Sequence, residues 1–199
     1  QNIHVLYNAV NTQQIIELSK AAIPDLPRQD VTKFIMLTRP SPEKRNDRLL
    51  NAAIRLKNEG YQFRCYVLGG GVAETQINNN ELSDVVSFLG QIANPFPYIL
   101  QSNWLICTSE RESFSLALLE AMVLKTPVIT TNCGGPANII GNGKYGILVD
   151  NSTEGVYRGM KSVLDNPQLS VIYSAHLEEV VKQFDYDGWL ANVDELLGV

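Results

Sequence analysis

From residue 33 onward, short apolar runs alternate with longer stretches whose apolar positions recur every three or four residues. FIMLT (34–38, led in by Lys33), FRCYVL (63–68), VVSFLG (85–90), WLICT (104–108), PVITT (127–131) and GILV (146–149) are the strand-like runs. They are continuous rather than strictly alternating, the pattern of strands covered on both faces. Between them, NDRLLNAAIRLKNEG sets Leu49, Leu50, Ala53, Ile54 and Leu56 on one side of a helix that Gly60 stops. PYILQS, SFSLALLEAMVLK and PANIIG are the next helical stretches. Strands alternating with helices predict an α/β fold, a doubly wound Rossmann-like parallel sheet with helices on both faces.

The two ends differ from this middle. Residues 1–32 read as a short strand (IHVLY), a helix (TQQIIELSKAA) and a Pro-containing linker from Ile23 to Gln29. After Pro167 the chain reads as helical to its end, with amphipathic runs at 168–183 and 186–197.

Composition then removes whole classes of function. A chain of 199 residues suits one well-buried domain, or one domain with an appended segment. With 45% apolar and 19% charged residues it has ordinary globular composition. Its net charge of -5, with no Lys/Arg stripe to offset it, argues against a nucleic-acid surface. No apolar run approaches the about 18 residues that span a bilayer. The opening QNIHVLYNAVN has no basic segment leading into an apolar core, and it starts on Gln. A piece of a longer protein is the expectation. Cys65, Cys107 and Cys133 lack paired spacing, so small buried thiols in a reducing compartment, the cytoplasm, are expected rather than disulfides or a zinc site.

Two glycine clusters imitate phosphate loops and fail. After Gly69 and Gly71 a dinucleotide fingerprint needs a third glycine where Glu74 stands. Gly143-Lys144 resembles the end of a P-loop, but Asn138 and Tyr145 occupy the positions of its first Gly and its Ser/Thr. Both read as turns. Three other clusters follow strands. TSERESFSLALLEAM (108–122) leaves WLIC and opens a helix that Ser113 or Ser115 can cap. A helix start at the carboxyl end of a strand offers free N–H groups and a positive dipole end to an anion. Glu112 and Glu120 would lie about 12 Å apart along such a helix, one to each side of a bound diphosphate. They equally suit a plain helix start, with Glu110 and Glu112 complementing the dipole and Glu120 solvated. TRPSPEK (38–44) places Arg39 and Lys44 after another strand, as a diphosphate cradle or an ordinary solvated turn. In TNCGGPANII (131–140), Gly134 and Gly135 admit a ligand or merely make the turn. His4 and His176 stand apart from every cluster and read as surface residues.

Paired glutamates with seven residues between them, followed by Ala-Met, after RPSPEK and before a GG turn, resemble the C-terminal domain of group 1 glycosyltransferases. The resemblance covers roughly residues 33–165 in register. These are glycogen-synthase-like enzymes of the GT-B fold, and the chain would be one half of that fold. The resemblance implies that residues 1–32 are an interdomain crossover and linker. Residues 33–184 would be the nucleotide-sugar-binding domain, and 185–199 a C-terminal helix returning to an absent N-terminal domain.

It also implies roles. Lys44 and Arg39 would bind the donor diphosphate, helped by the backbone around Ser113, Phe114 and Ser115. Glu120 would hold the ribose and Glu112, as catalytic residue, the transferred sugar. Phe88, Leu89 and Gly90 would line the base. Ser113 and Ser115 depart from the glycines that often flank the phenylalanine, and Asn138 stands where a glutamate is frequent. The implied activity is retaining transfer from a nucleotide-diphosphate sugar, its substrate, to a carbohydrate or lipid-linked acceptor held by the other domain. No metal or other cofactor is implied. Nucleic acid is not an expected partner; peripheral membrane association of the complete protein is. The competing reading is a non-catalytic nucleotide- or partner-binding module of the same fold, and the failed glycine fingerprint disfavours a nicotinamide-dependent dehydrogenase.

Overall fold

In a computed structural model, the described residues are 7–23, 26, 31–70 and 82–197. His4, Gly71, the IHVLY strand except Tyr7, and the linker except Ile23 and Leu26 lie outside them. The strands are β1 (Thr32–Leu37), β2 (Phe63–Leu68), β3 (Val86–Gly90), β4 (Trp104–Cys107), β5 (Val128–Thr131) and β6 (Ile147–Val149). They form one sheet in the order β3-β2-β1-β4-β5-β6, and every pairing is parallel. Each lies within a residue or two of the run that announced it. The sheet is the doubly wound arrangement expected from the alternation.

Continuous apolar strands are explained by burial on both sides. Along β1, Ile35 faces one core while Phe34 and Met36 face the other; along β4, Leu105 and the pair Trp104 and Ile106 divide the same way. The first core is roofed by α1 (Thr12–Ser19), α3 (Phe96–Leu100), α4 (Leu116–Val123), α5 (Gly135–Ile139) and α8 (Leu177–Phe184). The second lies under α2 (Asn46–Asn58) and α6 (Thr153–Asp165). Helix α2 buries Leu49, Leu50, Ala52, Ala53 and Leu56. It carries Asp47 in its first turn and Arg55 and Lys57 in its last, matching its dipole.

Three features differ from the expectation. Helix α6 was not anticipated, although Ser152 caps it by accepting from the Gly155 N–H at 3.0 Å. Two glycines on its inner face dilute the apolar pattern of Val156, Tyr157, Met160 and Val163. They are needed there: a Cβ on Gly155 would lie 2.1 Å from the Asp150 carbonyl oxygen. The run at 168–183 is two helices, α7 (Leu169–Ser174) and α8, broken at Ala175–His176. Helix α4 is shorter than its apolar run, because residues 113–115 remain extended or looped. A final helix, α9 (Tyr186–Leu197), follows Asp185. No helix among the described residues is long and apolar enough to cross a membrane.

Candidate functional site

The chain winds from β1 outward to β3, then crosses back and winds from β4 to β6. The carboxyl ends of β1 and β4 therefore flank the switch point, where an open α/β sheet leaves a crevice. Leu37 leads into Thr38–Lys44 on one side, and Cys107 leads into Thr108–Ser115 on the other. Lys44 and Glu112, predicted from separate motifs, meet there: Lys44 Nζ donates to Glu112 Oε2 at 2.5 Å. Their side chains are 19% and 13% exposed, so this is a largely desolvated pair rather than a weak surface contact.

The loop carrying Glu112 is held at several backbone and side-chain groups. Thr108 Oγ1 donates to the carbonyls of Lys44 and Arg45 at 2.8 and 3.0 Å. The Glu110 N–H donates to the Glu43 carbonyl at 2.7 Å, which knits the loop to the β1 side. Thr131 Oγ1 donates to the Ser109 carbonyl at 2.6 Å, and Ser109 Oγ in turn donates to Glu112 Oε2 at 3.1 Å. Glu112 pairs in parallel with the glycine turn, through its N–H to the Cys133 carbonyl (3.3 Å) and its carbonyl from the Gly135 N–H (3.1 Å). A Cβ on Gly135 would stand 2.0 Å from the Ser113 carbonyl oxygen, so this glycine serves the close approach of two loops.

Other site residues fall as follows. Arg39 is exposed, and its charge helps hold the Glu43 carboxyl below the usual range, after the hydrogen bond from Ser41 and a backbone contact. Ser115 occupies the N-cap position of α4 but its side chain makes no capping bond, contrary to the expectation that a serine would cap. The first-turn N–H groups of α4 are thus left without that partner, available to an anion. Ser113 is exposed. Phe114 turns its ring to Tyr7 and Phe184, with centroids 5.9 and 6.0 Å away, so only its backbone is offered to the crevice. Phe88 and Leu89 alternate to opposite faces of the sheet; Leu89 joins the core under α4 and Phe88 the core under α2. Gly90 ends β3, exposed, with φ +70°.

Glu112 is not on the helix, so the 12 Å helical spacing to Glu120 does not apply. Glu120 alone is helical, little more than one turn into α4. It borders a cavity of about 280 Å3 between α4, α1 and Phe96, whose lining includes Gln14, Ile15 and Leu116. Burial raises its carboxyl above the ordinary glutamate value. Cys133, partly buried beside the turn, has its thiol pushed up to about 11, chiefly by burial. Such a thiol stays protonated near neutrality and is a poor nucleophile. His176 is exposed, 3.8 Å from Glu179, as a surface residue would be.

Sequence reasoning missed Arg48 and Asn151. Arg48 is 4% exposed on the apolar side of α2. Its Nη1 donates to the Thr108 carbonyl at 3.1 Å and to Asn151 Oδ1 at 2.5 Å. The available signal was a charged residue four before Ala52, on the face that α2 buries.

The model of the family described as glycosyl transferases group 1 matches residues 20–180. The chain is 28% identical over 188 residues to an N-acetylgalactosaminyltransferase of Campylobacter jejuni that acts on a diphospho-undecaprenol-linked sugar, covering 91% of this chain and 49% of that protein. It is 30% identical over 147 residues to the N-acetyl-alpha-D-glucosaminyl L-malate synthase of Bacillus anthracis, covering 68% of this chain and 37% of that one. The chain thus spans about half or less of the length of these curated relatives. Its fold superimposes on HepE from Anabaena, solved in complex with UDP, with TM-score 0.78 at 18% identity, over 98% of this chain and 57% of that one. With the family model matched across the sheet and both flanking loops of its switch point, the chain belongs to the group 1 glycosyl transferases.

Proposed function

We propose that this chain is the donor-binding half of a retaining glycosyltransferase, which moves a sugar from a nucleotide-diphosphate sugar to a carbohydrate or lipid-linked acceptor. The Lys44–Glu112 contact across the switch point carries the reading. It brings a cation suited to a diphosphate and a carboxylate suited to sugar hydroxyls within one bond length of each other. In this reading the diphosphate takes over Lys44, supported by Arg39 and by the first-turn amides of α4 around Phe114 and Ser115. Glu112 is then released to the hydroxyls of the transferred sugar. Glu120 accepts from the ribose within the cavity it borders, and Leu89 and Gly90 line the base; the ring of Phe88, on the other sheet face, takes no part.

The chemistry is positioning plus stabilisation of departing negative charge. Attack comes from the face the diphosphate leaves, on an oxocarbenium-like centre, so configuration is retained. Basic side chains and helix amides carry the leaving group's charge, and no metal is required. The acceptor is held by the remainder of the longer protein, and closure of two domains gates transfer. The free thiols suit the reducing cytoplasm. HepE, solved with UDP, supports a nucleoside diphosphate as ligand.

Titration calorimetry of the chain with UDP, GDP and ADP tests the reading. One of the three is expected to bind, and Lys44→Ala to weaken it by tenfold or more, on the order of a lost charge-assisted contact. A folded chain that binds none of them overturns it.

A further inference from the structure

We propose that Arg48 and Asn151 form a positioning clamp that sets the Glu112 loop for the sugar half of the donor; the inference rests on the donor reading above. Arg48 comes from the first turn of α2, and Asn151 follows β6, the strand at the far edge of that half of the sheet. The guanidinium binds the Thr108 carbonyl at 3.1 Å, Asn151 Oδ1 at 2.5 Å and the Asn151 carbonyl at 3.3 Å. Asn151 completes the ring by donating Nδ2 to the Glu110 carbonyl at 2.9 Å. Alternate carbonyls of the loop, at Thr108 and Glu110, are thereby tied to one rigid pair. The carbonyl between them is tied to Thr131. Neither clamp residue hydrogen-bonds the Glu112 carboxylate; Arg48 stands in the first turn of α2, just after the Lys44 loop, and Asn151 just after β6.

The composition of the clamp speaks against a stability role. Arg48 is buried, and its Nε has no hydrogen-bond partner among the described residues. A buried guanidinium is costly to desolvate even with Glu110 Oε2 4.0 Å from its Nη2, and an apolar residue of similar length would fill the site at equal or lower cost. What an apolar residue cannot supply is a fork that locates two loops at once. Displacing a reacting group by about 1 Å costs up to roughly 100-fold in use of the bound substrate.

The test compares a nucleoside diphosphate with its nucleotide sugar, using whichever of UDP, GDP or ADP the parent binds, and UDP-glucose or its GDP or ADP counterpart. Arg48→Met and Asn151→Ala are made in the chain; Asn151 is exposed, so its variant folds whether or not Arg48→Met does. Both variants are expected to bind the diphosphate within about twofold of the parent while losing roughly tenfold or more of the affinity for the nucleotide sugar, the scale of a charge-assisted hydrogen bond to the sugar that a displaced Glu112 no longer makes. Asn151→Asp keeps the acceptor for Arg48 and loses the donor to Glu110, so an intermediate loss is expected. Equal loss of both ligands means that the pair serves only folding and overturns the clamp, as does an unchanged preference in both variants. A parent that binds neither ligand overturns the donor reading itself and the clamp with it.

Discussion

Glu120 is half-buried on α4, and burial alone moves its titration upward. The consequence for stability has a definite sign. A carboxyl whose folded pKa exceeds its unfolded one binds its proton more tightly when folded. The ionised form therefore penalises the folded state, fully above the folded pKa and not at all below the unfolded value. Glu120→Gln removes the ionisable group at the same size. The thermal midpoint of the variant is expected to exceed the parent's at pH 7, with the gain fading to nothing at about pH 4, below the ordinary glutamate value. Ligand affinity should move oppositely, since an amide is a weaker partner than a carboxylate for ribose hydroxyls. A variant that is less stable at neutral pH would show that Glu120 is an unrecognised structural residue, held by its ionised form.

At the scale of elements, every strand among the described residues was legible because a sheet covered on both faces calls for nearly continuous apolar runs, and such a run needs no neighbour to be recognised. Helix α6 was not, since Gly155 and Gly159 occupy its inner face to admit β6 and β5, and that requirement is tertiary. Lys44 and Glu112 were each legible as strand-end residues, yet their contact depends on the strand order, which places β1 beside β4. Arg48 was missed for the same reason in reverse: on α2 alone it is a charge among leucines, and its partners come from loops 60 and 103 residues away. The glycine turn shows how two sequence readings separate. Gly134 and Gly135 suited a turn or a ligand; the geometry gives Gly135 to the Ser113 backbone. Gly135→Ala must push that backbone aside, at about 1–3 kcal/mol of overpacking. Urea unfolding should show a lowered midpoint at unchanged slope, together with weakened nucleotide binding because the start of α4 moves. A variant as stable as the parent would mean that the loops slide apart freely, and the rigid cradle would be lost as an explanation.

Across the whole molecule, the two ends of the described chain close on each other beside the site. Val10 pairs with Asp185, its N–H donating to the Phe184 carbonyl at 2.9 Å, and Thr12 Oγ1 donates to Asp185 Oδ1 at 2.7 Å. Beyond them, Trp189 Nε1 donates to the Tyr7 carbonyl at 2.7 Å. Tyr7 in turn stacks on Phe114 and meets Phe184 edge-on, 5.8 Å away. Helix α9 therefore reaches the α4 start through the N-terminal segment, and none of its described side chains joins either sheet core. Its own surface leaves Tyr186 53%, Leu190 38% and Leu196 43% exposed. Ending the chain after Asp185 separates the two contributions. The thermal midpoint is expected to fall by only a few degrees, because the cores are untouched. Tyr7 should lose its backing, so tryptic cleavage after Lys20, at the end of α1, is expected to quicken several-fold, and concentration-dependent light scattering to fall with the exposed face removed. Unchanged cleavage would show that the N-terminal segment is held by Asp185 and Phe184 alone, and collapse of the midpoint would make α9 part of the core. With the cleavage rate raised and the core intact, the closing of the two ends would act on the crevice through one aromatic stack, from Tyr7 to Phe114.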